Sequence, residues 1–99
     1  LAKHPDIGGL YSLGAGNRGV IAALEKSGRK DHIVVVAHEL TADSRQALVS
    51  GTFDAIINQD AGHEVRSAIR VIQAKADGHP VIPGQERIRI DVFFRDNLP

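Results

Sequence analysis

Leu13-Gly14-Ala15-Gly16-Asn17-Arg18-Gly19-Val20 is where this chain passes from a strand to a helix, and its architecture can be read outward from that point. An apolar segment, Ile7 to Leu13, precedes the run, and a helical pattern from Val20 to Leu24 follows it. Glycines in such a turn let a ligand approach backbone N–H groups at the helix N-terminus. Gly14, Gly16 and Gly19 also satisfy the GxGxxG spacing of a dinucleotide-binding loop. In the competing reading the side chain of Asn17 matters more than the glycines.

Downstream, Ile33-Val34-Val35-Val36-Ala37 is a continuous apolar, mostly β-branched run, as expected of a strand covered on both faces. Phe53 to Ile57 reads as another strand, interrupted only by Asp54. Between them Thr41 to Ser50 is helical, with Thr41 or Asp43 as its cap and Gly51 as its stop. From Ala61 to Ala76, Val65, Ala68, Ile69, Ile72 and Ala76 recur at helical spacing, with Asp60 as N-cap and Gly78 as terminator. In the last strand Ile88, Ile90, Val92 and Phe94 alternate with Arg87, Arg89, Asp91 and Arg95, the mark of a half-exposed strand. The expected fold is α/β: a parallel sheet with flanking helices in three layers, its last strand half-exposed.

Composition narrows the function. At 99 residues the chain is one small domain or a piece of a larger one. Twelve basic residues balance twelve acidic ones, against the basic stripe that nucleic-acid binding by this segment would need. There is no cysteine, hence no disulfide framework and no thiolate chemistry. No apolar run approaches the roughly 18 residues of a membrane span. The chain starts at Leu1 and contains no methionine, so it is expected to be an excised piece.

In an open parallel sheet, ligands sit beyond the carboxyl ends of the strands. Here those ends are Gly14 to Asn17, His38-Glu39 and Asn58-Gln59-Asp60. Their amides and carboxylates both donate and accept hydrogen bonds, which suits a polyhydroxylated ligand. Asn17 and Asp60 read equally as helix caps. In the dinucleotide alternative Glu39 would take the ribose hydroxyls, although Gly8, Gly9, Tyr11 and Ser12 make the preceding strand weak. No catalytic constellation is found. Neither His38-Glu39 nor His63-Glu64 extends to HExxH, no serine lies in a GxSxG elbow, and the five histidines lack metal-ligand spacing. Asp54 and Asp60 read as a solvent-facing strand residue and a cap rather than an acid–base pair. No metal, no cofactor and no enzymatic activity are expected.

Three stretches in order carry a resemblance: the Gly/Asn loop into Val20-Ile21-Ala22-Ala23-Leu24, then Ile33 to Glu39, then Ile56-Ile57-Asn58-Gln59-Asp60. Together with the closing Arg87-Ile88-Arg89-Ile90 to Asn97-Leu98-Pro99, they resemble the C-terminal, effector-binding part of LacI-type transcription regulators and their periplasmic sugar-binding relatives. The resemblance implies a partial periplasmic-binding-protein-like subdomain spanning residues 1–99, with a hinge-crossing helix at 61–78 and a final strand at 86–97. It implies a small sugar or polyol as effector, bound between two subdomains by Asn17, His38, Glu39, Gln59 and Asp60, with Asp60 also capping its helix. Where the family has Asp after Gly-Phe or Gly-Tyr, this chain has Ala37-His38-Glu39, so a different ligand is expected. Operator DNA would be engaged only through an N-terminal headpiece that lies outside these residues. Cytoplasmic location, no membrane partner and a homo-oligomer complete the expectation, because the stripe from Val65 to Ala76 needs a cover. A periplasmic transport receptor is the alternative, and a dinucleotide-binding fragment the third reading.

Overall fold

A computed structural model describes all residues, Leu1–Pro99. The elements run β1 (Gly9–Ser12), α1 (Asn17–Ser27), β2 (Val34–His38), α2 (Ala42–Ser50), β3 (Ala55–Gln59), α3 (Ala61–Asp77) and β4 (Ile90–Phe93), followed by a short 3-10 turn at Arg95–Asn97. The strands form one four-stranded sheet in the order β1-β2-β3-β4, in which β1 pairs with β2 and β2 with β3 in parallel. The α/β expectation is met.

Each helix is bounded by local chemistry. Thr41 and Ser44 form a reciprocal capping box, Thr41 Oγ1 accepting from the Ser44 N–H at 3.2 Å and Ser44 Oγ from the Thr41 N–H at 2.8 Å. At α3, Asp60 Oδ1 accepts from the His63 N–H at 3.0 Å. Gly51 and Gly78 close α2 and α3 in the left-handed region, at φ 85° and 70°. β3 starts two residues later than its sequence suggests. Asp54 doubles its hold on β2, accepting from the Val35 N–H through Oδ2 at 2.7 Å and donating its own N–H to Val35 O at 2.9 Å.

The chain divides into two compact units, Leu1–Asn58 with Val92–Pro99, and Gln59–Asp91. In the first, Leu24 of α1 and Ala47 and Leu48 of α2 join Val35, Ala37, Phe53 and Ile56 in a single buried cluster. Each fully buried Leu, Ile, Val or Phe side chain there contributes about 1.5–3 kcal/mol. The other face of β2 is less covered than its apolar run implies: Val34 is 58% exposed and Val36 half-buried. Successive side chains point to opposite faces, and α1 and α2 together serve only one of them. β4 also departs from expectation. It is half-exposed, but Phe93 packs against the core while Ile90, Val92 and Phe94 are exposed.

In the second unit the apolar stripe of α3 faces outward, with Val65, Ile69 and Ile72 all exposed. The covered side carries Ser67, Arg70, Val71 and Ala74. Polar contacts fasten residues 85 and 86 to it: Arg70 donates Nε–H and Nη2–H to Glu86 Oε1 at 2.9 and 2.7 Å, and His63 Nε2 meets Gln85 O at 3.1 Å. No helix is long and apolar enough to cross a membrane.

Candidate functional site

In the first unit the β1–α1 and β2–α2 turns lie side by side at the carboxyl ends of their strands. Gly14 is buried, with φ 118°, a conformation that L side chains rarely adopt. The Glu39 side chain lies against it: a Cβ on Gly14 would come within 3.2 Å of the Glu39 carboxyl carbon. Glu39 itself holds φ 73° and is the only non-glycine residue with positive φ. Such a conformation costs of order 1–3 kcal/mol and persists where surrounding bonds over-determine it. Those bonds are present. The Glu39 N–H donates to Ile57 O at 3.0 Å, Ser44 Oγ donates to Glu39 O at 2.6 Å, and the Leu40 N–H donates to Asn58 Oδ1 at 3.0 Å. The result is an exposed carboxylate on a fixed turn.

Asn17 sits at the same turn but points inward. It is 5% exposed and is the first residue of α1, whose N-cap is Gly16 with no side-chain cap bond. The cap reading of Asn17 is therefore corrected. Its Oδ1 accepts from Ser12 Oγ at 2.6 Å, and its Nδ2 donates to His38 O at 2.8 Å. Asn17 thus ties the end of β1 to the end of β2, and the exposed chemistry is left to its neighbours. His38, the last residue of β2, is half-buried, and its Nε2 is hydrogen-bonded to the phenol of Tyr11. The two rings meet edge to face, with centroids 5.3 Å apart.

Gln59 and Asp60 belong to the second unit. Gln59 ends β3 with its side chain exposed, and Asp60 is the N-cap of α3. The His63 N–H donated to Asp60 holds its carboxyl below the ordinary value of 3.8, with Arg66 assisting. A cavity of about 400 Å³ lies elsewhere in this unit, lined by Arg70, Gln73, Asp77, His79 and Glu86 among others. None of the residues nominated from sequence lines it, and its central charges already satisfy each other, so we place the candidate site at the Glu39 turn.

Tyr11, Ser12 and Ser44 are not legible as site residues in the sequence, which offers only Asn58 of this group. Asn58, read from the sequence as part of the amide-rich end of β3, holds the Leu40 N–H. The dinucleotide reading loses its structural basis here, because the third glycine of that motif permits close helix–strand packing. A Cβ at Gly16 or Gly19 would meet nothing within 4 Å. No group of three or more His, Asp or Glu side chains is placed to hold a metal ion.

The model of the periplasmic binding protein domain matches residues 1–80. The chain belongs to the periplasmic binding protein family. Among solved structures, this periplasmic binding protein domain is similar to GanP, a glucose-galactose binding protein from Geobacillus stearothermophilus, at 20% identity and TM-score 0.88, over 100% of this chain and 35% of that one. It is also similar to a carbohydrate transporter solute-binding protein from Agrobacterium radiobacter, solved in complex with D-arabinose, at 19% identity and TM-score 0.82, over 97% of this chain and 32% of that one. The domain therefore spans about a third of the length of these proteins. At such identities the likeness carries the fold. No curated protein matches the chain.

Proposed function

We propose that this domain binds a small sugar or polyol, with the exposed Glu39 carboxylate accepting hydrogen bonds from ligand hydroxyls. One observation carries the reading: a strained, over-determined turn that presents a carboxylate at the strand ends. Asn17 and His38 support that turn. Separately, the family resemblance implies Gln59, exposed at the end of β3, as a ligand contact in the parent protein. The sugar-binding names of the similar structures favour the same ligand class.

The finer reading is that the domain is the effector-binding portion of a LacI-type regulator, with residues 61–78 as the hinge-crossing helix and the final strand, expected over 86–97, reduced to β4 at Ile90–Phe93. The sugar would act through its differential affinity for two arrangements of the parent protein, and so change DNA affinity. A periplasmic transport receptor is the alternative, and a carbohydrate transporter solute-binding protein is among the similar structures. A mobility-shift assay on the parent protein, with and without D-arabinose, D-glucose and D-galactose, separates the two. Sugar-dependent retention of operator DNA supports the regulator, with the response reduced in Gln59→Ala and DNA binding itself retained. No DNA binding under any condition removes the regulator reading and leaves the receptor.

A further inference from the structure

We infer that Tyr11 is a positioning residue for this site, acting through His38. Tyr11 is 57% exposed, so burial does not account for a tyrosine at this place. Its register partner is Val36, and His38 lies two residues further along β2, on the same face of the sheet. The phenol reaches diagonally across the pair to His38 Nε2, and the edge-to-face packing fixes both rings. The other end of His38 is held as well, because its carbonyl accepts from Asn17 Nδ2. His38 is the last regular residue before the left-handed Glu39. Gripped at ring and carbonyl, it gives that turn a fixed point of departure.

The network runs Tyr11 phenol, His38 ring, His38 carbonyl, Asn17 amide and Ser12 hydroxyl, and it closes on β1 one residue from where it began. Every member belongs to the first unit. A closed loop of hydrogen bonds fixes the spacing between the two strand ends more firmly than the parallel ladder alone. Glu39, the residue immediately beyond it, inherits that spacing. The inference rests on the sugar-site reading only for what the positioned carboxylate holds.

The test is nuclear magnetic resonance of the full 99-residue chain without ligand, followed by titration with D-arabinose. Tyr11→Phe keeps the ring packing and removes the hydroxyl. Expected are displaced His38 ring nitrogen resonances, together with shifts at the Asn17 side-chain amide and the Glu39 backbone amide. His38→Gln, which offers an amide nitrogen at similar reach, should keep the Asn17 and Glu39 signals near wild type, whereas His38→Ala should move them. Asn17 and Glu39 signals unchanged in both Tyr11→Phe and His38→Ala would overturn the inference, even if sugar binds. In the titration, Tyr11→Phe should weaken D-arabinose about three- to tenfold, the scale of one hydrogen bond. Network shifts without any sugar binding would support the positioning role and remove the sugar reading instead.

Discussion

At the residue scale, Glu39 sets backbone strain against presentation of its carboxylate. Its φ of 73° is natural for glycine and costly for glutamate. Glu39→Gly should therefore stabilise the chain by about 1 kcal/mol in denaturant unfolding, within the range such strain stores, while abolishing the ligand response. A gain in stability with loss of binding marks a residue kept for function. Asp60 behaves differently. Its folded pKa lies below the ordinary 3.8 because the charged form accepts the His63 N–H. Its stabilising contribution is therefore present above about 3.8, the unfolded-state value, and is lost as pH falls through the folded pKa. Asp60→Asn keeps the cap and removes the titration, so its acid unfolding profile should lose that component. Residues such as Asp60 were legible in the sequence because a cap is a local event, complete within four positions. Asn17 was not. Its role depends on Ser12 and His38, and no pattern along the chain shows that an amide at a turn will point inward toward a neighbouring strand.

At the element scale, order and boundaries were read best where caps set them. Thr41, Asp60, Gly51 and Gly78 all act as the sequence suggested. Thr41→Ala should cost about 1 kcal/mol in thermal unfolding, the usual worth of a helix N-cap. Strand limits were less legible, because pairing sets them: the side chain of Asp54 bonds the Val35 N–H of β2, and β3 begins only at Ala55. The direction of β4 was legible only as an alternation. Phe93 stands in the charged phase of that alternation, yet it is the residue that packs on the core. Arg29 organises the first segment. Its guanidinium donates to the carbonyls of Leu1, His4, Pro5 and Ile7 at 3.0 to 3.4 Å. Arg29→Ala should release residues 1 to 7, seen as rapid amide exchange confined to that segment, at a cost of about 1–3 kcal/mol. Unchanged exchange there would show that other contacts hold it.

At the scale of the whole molecule, the most consequential feature is apolar surface without a cover. The Val65, Ile69 and Ile72 stripe of α3 has the period of a buried helix face and is nonetheless exposed. The sequence shows that such a stripe exists but not what lies against it, because periodicity along one helix carries no information about a partner surface. If the stripe is uncovered in solution, Ile69→Ala should change stability by less than about 0.5 kcal/mol. Leu48→Ala, in the buried cluster, should cost about 2–5 kcal/mol. An Ile69→Ala penalty as large as that of Leu48→Ala would mean the stripe is packed. The proposed site at the Glu39 turn belongs to a domain that spans about a third of the length of the similar solved structures.

The proposed sugar site is best tested by adding D-arabinose to the 99-residue chain and following the backbone amides by nuclear magnetic resonance. Expected are saturable shifts centred on Gly14, Glu39 and Leu40, with a dissociation constant roughly in the millimolar range, about −4 kcal/mol, and weaker by tenfold or more in Glu39→Gln. Titrations with D-glucose and D-galactose cover the other sugars named among the similar structures. Saturable binding that ignores Glu39→Gln, or no binding of any of the three sugars at concentrations well above millimolar, would contradict a sugar site at this turn.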